Sequence, residues 1–230
     1  AQFYVDVLFD SGGISKTGTA TSPNWVVDPT APFANRVSIS PSNGVVVTVD
    51  PVETLNIASR ELSGLDFEVR YQMETENMGD FDFRLSATHI LKFEQTTNLP
   101  GFPAVTKDYV GIYSPNDDTG PETVPKWRGF LAVDWYFMDI FANLTWNYVG
   151  AYDEDPQGGT NYTREVDSWH TFDVAVGYTY EPTGTTIRVG LQNAFDEDPP
   201  IARSSFADNY DRSAHNILGR VWTVRVSQKF

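Results

Sequence analysis

Large apolar side chains recur at every second position through most of this chain, in runs of about nine to thirteen residues broken by polar connectors. The last run is the plainest. Trp222, Val224, Val226 and Phe230 share one parity, interrupted only by Gln228, while Thr223, Arg225, Ser227 and Lys229 hold the other. Upstream, Ile187, Val189 and Leu191 alternate with Arg188, Gly190 and Gln192. Phe172, Val174, Val176, Tyr178 and Tyr180 alternate with Thr171, Asp173, Ala175, Gly177 and Thr179. Ala142, Leu144, Trp146 and Tyr148 are set against Asn143, Thr145 and Asn147. Trp127, Leu131, Val133, Trp135 and Phe137 are set against Arg128, Asp134 and Tyr136. Two more runs put Phe81, Phe83, Leu85, Leu91 and Phe93, and before them Leu65, Phe67, Val69, Tyr71 and Met73, on one side. Neighbouring side chains of a strand point to opposite faces, so each run predicts a strand with one greasy and one wet face. Residues 3–9 follow the rule less regularly and bring the count to eight meandering strands.

A soluble β-sandwich also has strands with one greasy face, so length decides. Sandwich strands run to about 5–6 residues, whereas a tilted strand crossing a bilayer takes about 9–11. Arg, Asp, Asn and Thr at mid-strand on the wet face suit a watery or plugged lumen. Connectors give a second test, because they alternate in length. Residues 75–80, 138–139 and 181–184 form short turns, and 95–126, 153–167 and 196–217 form long ones. Transmembrane barrels have short periplasmic turns and long extracellular loops, which puts Phe230 on the periplasmic side. Residues 10–62 form a further long extracellular loop, with room for a strand near residues 45–49, and residues 63–230 are regular up-and-down strands. The expected fold is all-β: the wall of an antiparallel transmembrane β-barrel.

Composition narrows the chemistry. Aromatic residues make up 14% of the 230 residues, enough for girdles at both membrane interfaces. No stretch approaches the roughly 18 consecutive apolar residues of a membrane helix. The net charge of −15 argues against nucleic acid, whose phosphates require Lys/Arg clusters. Cysteine is absent, which excludes disulfides, thiol catalysis and Cys-ligated zinc.

From about residue 53 onward the chain resembles the TonB-dependent receptor family at particular residues. Leu191-Gln192-Asn193-Ala194-Phe195-Asp196-Glu197-Asp198-Pro199-Pro200 is similar to that family's penultimate strand and the start of its last extracellular loop, with Asn193, Phe195, Asp196, Pro199 and Pro200 carrying the match. Tyr210-Asp211 and Gly219-Arg220 then precede a closing strand ending in Phe230. Asn56, Arg60-Glu61, Gly64-Leu65-Asp66 and Tyr71 resemble an upstream strand of the family, and Trp169, Thr171, Asp173 and Tyr178 its third-last. The likeness covers roughly residues 53–230. It implies the C-terminal third of a 22-stranded barrel, with the plug domain outside these residues, located in the bacterial outer membrane. It implies as partners outer-membrane lipid and lipopolysaccharide, TonB acting through the plug, and a small-molecule substrate. Trp222, Val224, Val226 and Phe230 also resemble the C-terminal signal read by the barrel-assembly machinery, a lipid-facing stripe beside an unpaired strand edge.

Candidate chemistry outside the strands is sparse. Loop aromatics Trp25, Phe102, Tyr109, Tyr113, Tyr152 and Tyr162 suit stacking on a sugar or siderophore, and equally suit loop packing. Acidic clusters at Asp153-Glu154-Asp155, at Asp196-Glu197-Asp198 and around Asp208, Asn209 and Asp211 offer calcium-type oxygen ligands without EF-hand spacing, and solvated acidic loops read the same way. His89, His170 and His215 lack zinc spacing, and His89 falls on the greasy parity, at an interface or at a bulge. Arg128, Asp134, Arg188 and Arg225 face the lumen and read as wall contacts with a plug. No catalytic constellation is evident, so neither an enzyme nor a resident cofactor is expected. The expected function is uptake of a scarce nutrient, a carbohydrate or a metal chelate. A self-contained small barrel with an adhesive or structural role and a secreted lectin-like β-sandwich are the alternatives.

Overall fold

The computed structural model describes residues 12–19, 22–31, 34–49, 58–98, 103–115, 120–155, 164–205 and 208–229. These residues divide between two compact units, Ala1–Ser59 with Thr96–Val105, and Arg60–Gln95 with Thr106–Phe230.

The first unit holds two antiparallel hairpins, β1 (Ile14–Thr19) with β2 (Ser22–Val27) and β3 (Val37–Ile39) with β4 (Val46–Val49). Val37 is its buried centre, with Ile14, Val27, Ala31 and Val46 packed on it. Trp25 lies against Gly44, which sits at φ 73°, where a Cβ would come within 2.7 Å of the indole. The stretch 10–62 is therefore not one long loop, and the strand expected near 45–49 is β4.

The second unit is dominated by long strands. They are β5 (Ala58–Met73), β6 (Asp80–Thr97), β9 (Trp127–Phe137), β10 (Ile140–Val149), β13 (Trp169–Tyr180), β14 (Thr185–Gln192) and β15 (Val221–Gln228). They pair antiparallel in the order β15-β14-β13-β10-β9-β6-β5, each beside its sequence neighbour, and β7 (Val105–Asp108) also pairs β6. All seven runs of clear alternation are strands. The eighth member of the sheet is β7, inside the stretch expected to be a connector, while residues 3–9 lie outside the described residues. Among the described residues β15 and β5 do not pair with each other, so the sheet is open.

Two of the strands overshoot the pattern. β5 begins at Ala58, before the apolar alternation starts, and β6 runs to Thr97. At about 3.3 Å per residue, 16 and 18 residues exceed what a bilayer crossing needs. Beyond the hydrocarbon an outward side chain has no reason to be apolar, so the sequence signal stops before the backbone pairing does.

Three tight turns lie at one end of the sheet. Gly79 (φ 82°) closes the β5–β6 turn, and Trp135 Nε1 donates to Met78 O in that turn at 2.6 Å. Met138 (φ 51°) makes the two-residue β9–β10 turn, and a 3-10 turn ending at Gly184 joins β13 to β14. At the opposite end the long connectors fold on themselves. β8 (Ile112–Tyr113), β11 (Tyr152–Glu154) and β12 (Arg164–Val166) form a small sheet of their own, so these connectors carry strands that the alternation did not reveal.

Candidate functional site

Register turns the alternation into two chemically different faces. One rung of cross-strand neighbours reads Phe83, Val133, Leu144, Val174, Leu191, Trp222; the next reads Phe81, Trp135, Ala142, Val176, Val189, Val224. None of these side chains is buried, and Leu144, Val174, Val176, Val189, Trp222 and Val224 are exposed although large: Leu144 shows 47% of its surface and Val224 69%. On the other face, Ala132, Asp134, Thr171 and Gly177 are buried. A water-soluble sandwich has the reverse arrangement, with apolar rungs covered and polar ones open. Here the polar face is the sheltered inner one, and the apolar face awaits a non-aqueous solvent.

Aromatic rings border that outer face at both ends. Near the tight turns, Trp135 stacks on Phe137 at 5.9 Å and Phe81 on Phe83 at 6.1 Å. Toward the long loops, Trp127 stacks on His89 at 4.1 Å, and His170 lies on Trp146 and Tyr148. His89 is paired in register opposite Trp127, without a bulge, so its place on the greasy parity is an aromatic-belt position. Along β9, the ten steps between Trp127 and Phe137 rise about 33 Å, or roughly 25 Å across a layer at a 40° tilt, which matches the apolar band of an outer-membrane barrel.

The inner face is ordered by polar pairs. Asp82 binds Arg70, and Arg84 donates to Asp134 at 2.6 Å. Asp134 also accepts from Asn143 at 2.7 Å. Asp173 accepts from Asn147 Nδ2 at 2.9 Å and from the backbone N–H of Asn193 at 2.8 Å. Arg188 lies over the Phe141 ring at 4.7 Å. Toward the long-loop end this face opens into a cavity of about 820 Å³. Ser86, Thr88, Asn147, Thr171 and Asp173 line it with hydroxyl, amide and carboxylate groups; Arg128 adds a cation, and Phe130 and Trp169 add rings. That set offers donors and acceptors on several sides with apolar surface between them, which is binding chemistry.

Above the cavity the loops have a core of their own, made of Tyr113, Val149, Tyr152, Val166, Ala202 and Ala214. Asp211 is its polar centre and is fully buried. One carboxylate oxygen accepts from Thr123 Oγ1 at 2.6 Å and Tyr152 OH at 2.7 Å; the other accepts from the Ser213 N–H and hydroxyl and from the Ala214 N–H. Three loops thus meet on one side chain. Burial and the bond to Asp211 push the Tyr152 hydroxyl far above its ordinary pKa, so it remains a donor to Asp211. Its oxygen must then accept from His215 Nε2 at 2.9 Å, which leaves His215 Nδ1 buried without a partner. Burial lowers the pKa of that imidazole; Asp211 pulls it back and Arg128 pushes it further down. Burial also works against the Glu154 carboxylate, but hydrogen bonds from Ser204 and Arg203 outweigh it and hold the group below the usual range.

Tyr113 and Tyr152 are part of this packing, and Tyr109 packs apart from it, against Gly120 and edge-on to Phe93 at 6.3 Å. Tyr109, Tyr113 and Tyr152 are each nearly fully buried, so none presents a ring face to a ligand; Tyr162 and Phe102 lie outside the described residues. Trp25 is half-buried on Gly44 with Lys16 at 5.5 Å from its ring. Several of the acidic loop side chains are held in structural contacts. Glu154 caps two backbone N–H groups, Asp155 binds Lys107 at 2.6 Å, and Asp196 accepts from the Arg220 N–H at 2.6 Å. Among the described residues no three His, Asp or Glu side chains converge as metal ligands would.

The motif at Asn193 is a clasp. Asn193 takes a left-handed conformation (φ 48°), and its side-chain amide bonds both the N–H and the C=O of Glu197 at 2.9 Å. Asp196 (φ 62°) reaches across to the start of β15, where Gly219 leaves room for its carboxylate. Phe195 is exposed and meets Phe172 edge-on at 5.5 Å, on the apolar side. Pro199 and Pro200 follow in the irregular stretch after it. Sequence reasoning missed Asp211 as an organising centre, because its partners Thr123 and Tyr152 are far away in sequence. On β15, Trp222, Val224 and Val226 form an exposed apolar stripe, and Phe230 lies outside the described residues.

Residues 22–194 match the family described as TonB dependent receptor-like, beta-barrel. Among solved structures the chain is similar to one titled "Copper transporter OprC", at 16% identity and a TM-score of 0.34, over 75% of this chain and 30% of that one. No curated protein matches the chain. The family match spans well over half of the residues, and the chain belongs to the TonB-dependent receptor-like β-barrel family.

Proposed function

We propose that this chain forms part of the wall of a bacterial outer-membrane transporter, driven through TonB, that takes up a small scarce nutrient. The carrying observation is the inverted sheet: apolar rungs with no buried member on one face, and on the other polar groups of which Asp134 and Thr171 are buried. Lipid is the solvent that makes such a sheet stable. The end strands β5 and β15 have no pairing to each other, and lipid does not tolerate open edges. That favours a longer wall over a self-contained eight-stranded barrel. The aromatic borders suit contact with lipid and lipopolysaccharide, and the apolar stripe of β15 suits capture by the assembly machinery.

The substrate class we favour is a carbohydrate or a metal chelate. The cavity's mixed hydroxyl, amide and carboxylate lining, with Phe130 and Trp169 beside it, supports a polar ligand that has apolar faces. Two measurements test the proposal. Single-tryptophan variants in vesicles with brominated acyl chains should show strong quenching of Trp135, Trp146 and Trp222, and little of Trp25 or Trp169. Uptake of labelled oligosaccharides or chelates by cells carrying the intact receptor should vanish when TonB is deleted. Equal quenching at all positions would reject the wall, and uptake indifferent to TonB would reject the transport mechanism.

A further inference from the structure

Aromatic rings on the inner face have partners, with one exception. Tyr136 and Phe141 pack on each other at 5.1 Å, and Trp169 meets His215 at a near-right angle. Phe130, on the inner parity of β9, lines the cavity with 37% of its surface open. Among the described residues no ring or cation lies on it. A single exposed ring needs no explanation by itself. Its neighbours supply one.

Register sets a polar group on each side of the ring. Phe130 is paired across to Ser86 on β6 and to Asn147 on β10, each one strand spacing of about 4.8 Å away. The Ser86 hydroxyl has no protein partner among the described residues. Asn147 donates its amide hydrogens to Thr171 and Asp173, which leaves its Oδ1 open as an acceptor. The next rung toward the long loops runs Thr88, Arg128, Val149, Trp169, so Arg128 stands directly above the ring. Elsewhere on this face Arg70 and Arg84 are each matched to a carboxylate. Arg128 makes no ion pair or hydrogen bond among the described residues. Asp173 is the cavity's only carboxylate, and it is taken up by Asn147 and the Asn193 N–H. The cavity therefore holds one unmatched charge, and it is positive.

These groups set three requirements on a ligand. It needs C–H surface to cover the negative face of the ring, hydroxyls at its edge for Ser86 and Asn147, and an anionic group to one side for Arg128. A sugar ring bearing a carboxylate meets all three. A neutral sugar leaves the guanidinium unmatched. A metal chelate turns its oxygens inward onto the ion and offers Ser86 and Asn147 fewer edge hydroxyls. In a chain of net charge −15 the overall field repels anions, so a lone cation inside the cavity acts by selecting a ligand and not by steering it.

We propose that the cavity binds an acidic sugar unit, with Phe130 against its ring and Arg128 on its carboxylate. This narrows the carbohydrate side of the uptake reading and rests on it, because the polar face must be the lumen.

The test is isothermal titration of the full-length receptor in detergent micelles, with heat-modifiable migration scored for every variant. The probes are oligomers of galacturonate and of mannuronate, sialyllactose, the methyl esters of each, the matching neutral oligosaccharides, and ferric citrate. At least one acidic probe should bind, and its methyl ester should bind about tenfold or more weakly. Arg128→Gln should bring the acid down to the level of the ester and leave the affinity for the ester unchanged, whereas a merely structural arginine would weaken both. Should that variant fail to assemble, Arg128→Met takes its place with the same expected result. Phe130→Leu should weaken acid and ester together, by roughly threefold or more. Equal binding of acid and ester would overturn the proposal, as would preference for a neutral oligosaccharide or ferric citrate. So would the absence of binding by every acidic probe in a heat-modifiable receptor, or an acid preference that survives loss of the guanidinium. Cellular uptake of a bound acidic probe that persists without TonB would instead overturn the transport reading and leave the site standing.

Discussion

Replacing Asp211 with Ala should loosen the cap formed by the long connectors and leave the sheet beneath it intact. The carboxylate is fully buried and takes hydrogen bonds from Thr123, Tyr152, Ser213 and Ala214, which belong to three connectors. Not all of these bonds count equally. Ser213 is exposed and recovers its bonds from water, and the Ala214 contact is long at 3.4 Å. Tyr152 is buried and loses the acceptor its hydroxyl needs, while Thr123 is half-buried and loses part. An orphaned buried donor costs about 1–3 kcal/mol, and more when the lost acceptor was a carboxylate. The cap should therefore lose about 3–5 kcal/mol, which accelerates its opening roughly a hundred- to a few-thousand-fold.

Hydrogen exchange read by mass spectrometry on the barrel in nanodiscs measures this directly. Peptides covering residues 120–126, 150–155 and 208–216 should lose protection together, while peptides from β9, β10 and β13 keep theirs. Asp211→Asn should fall between the wild type and Ala, because one oxygen still serves Ser213 and Ala214 while the new NH2 faces two donors. Unchanged protection, or loss confined to residues 208–216, would refute the claim that one side chain ties three loops.

Other perturbations follow from the same contacts. His215 is neutral because burial lowers its pKa below the ordinary 6.5, so the open loop binds a proton more readily than the closed one. Cap protection should hold above about pH 6.5 and decline as pH falls below it, and His215→Asn should flatten that decline. Glu154, with its pKa held below 4.5, adds a second loss of the same sign at lower pH. Leu144→Arg, in the middle of the outer face, should destabilise the folded barrel by about 2–4 kcal/mol in lipid unfolding titrations, whereas Asn143→Ser on the inner face should cost far less. Gly129→Ala places a Cβ 2.6 Å from the Ser86 carbonyl, a backbone atom that cannot step aside, and should lower the heat-modification temperature.

What could be read in advance follows the range of the forces involved. Side-chain parity is a local property, so the seven long strands, their tight turns and their greasy faces were legible from residues such as Val174, Val176 and Tyr178 alone. Strand ends beyond the hydrocarbon were not, since Ala58 to Gly64 obey no apolar rule yet still lie in β5. The small strands β7, β8, β11 and β12 are two to four residues long and carry no period. The loop tyrosines illustrate a harder limit. A ring in a polar loop signals either a ligand platform or a miniature core, and only the position of Val166, Ala202 and Ala214 around Tyr113 and Tyr152 separates the two.

Two solvents explain why one chain uses two stabilising strategies. The wall has hardly any apolar core among its described residues: its large aliphatic side chains point outward, and its inner side chains are fixed by ion pairs and amide bonds. In water such a sheet would be an adhesive plate, so its hydrophobic stabilisation must be supplied by the bilayer. The cap cannot draw on lipid and therefore builds a small conventional core around a buried carboxylate. β13 joins the two regimes within five residues. Trp169 packs on the cap and donates to Asp198 O at 3.1 Å, while Asp173 binds Asn147 on the wall and the N–H of Asn193 in the clasp. A displacement of the cap therefore has a short mechanical route into the inner face through Asp173, and Asp173→Ala should uncouple the two. In that variant, loop protection should survive while the clasp at Asn193 exchanges freely.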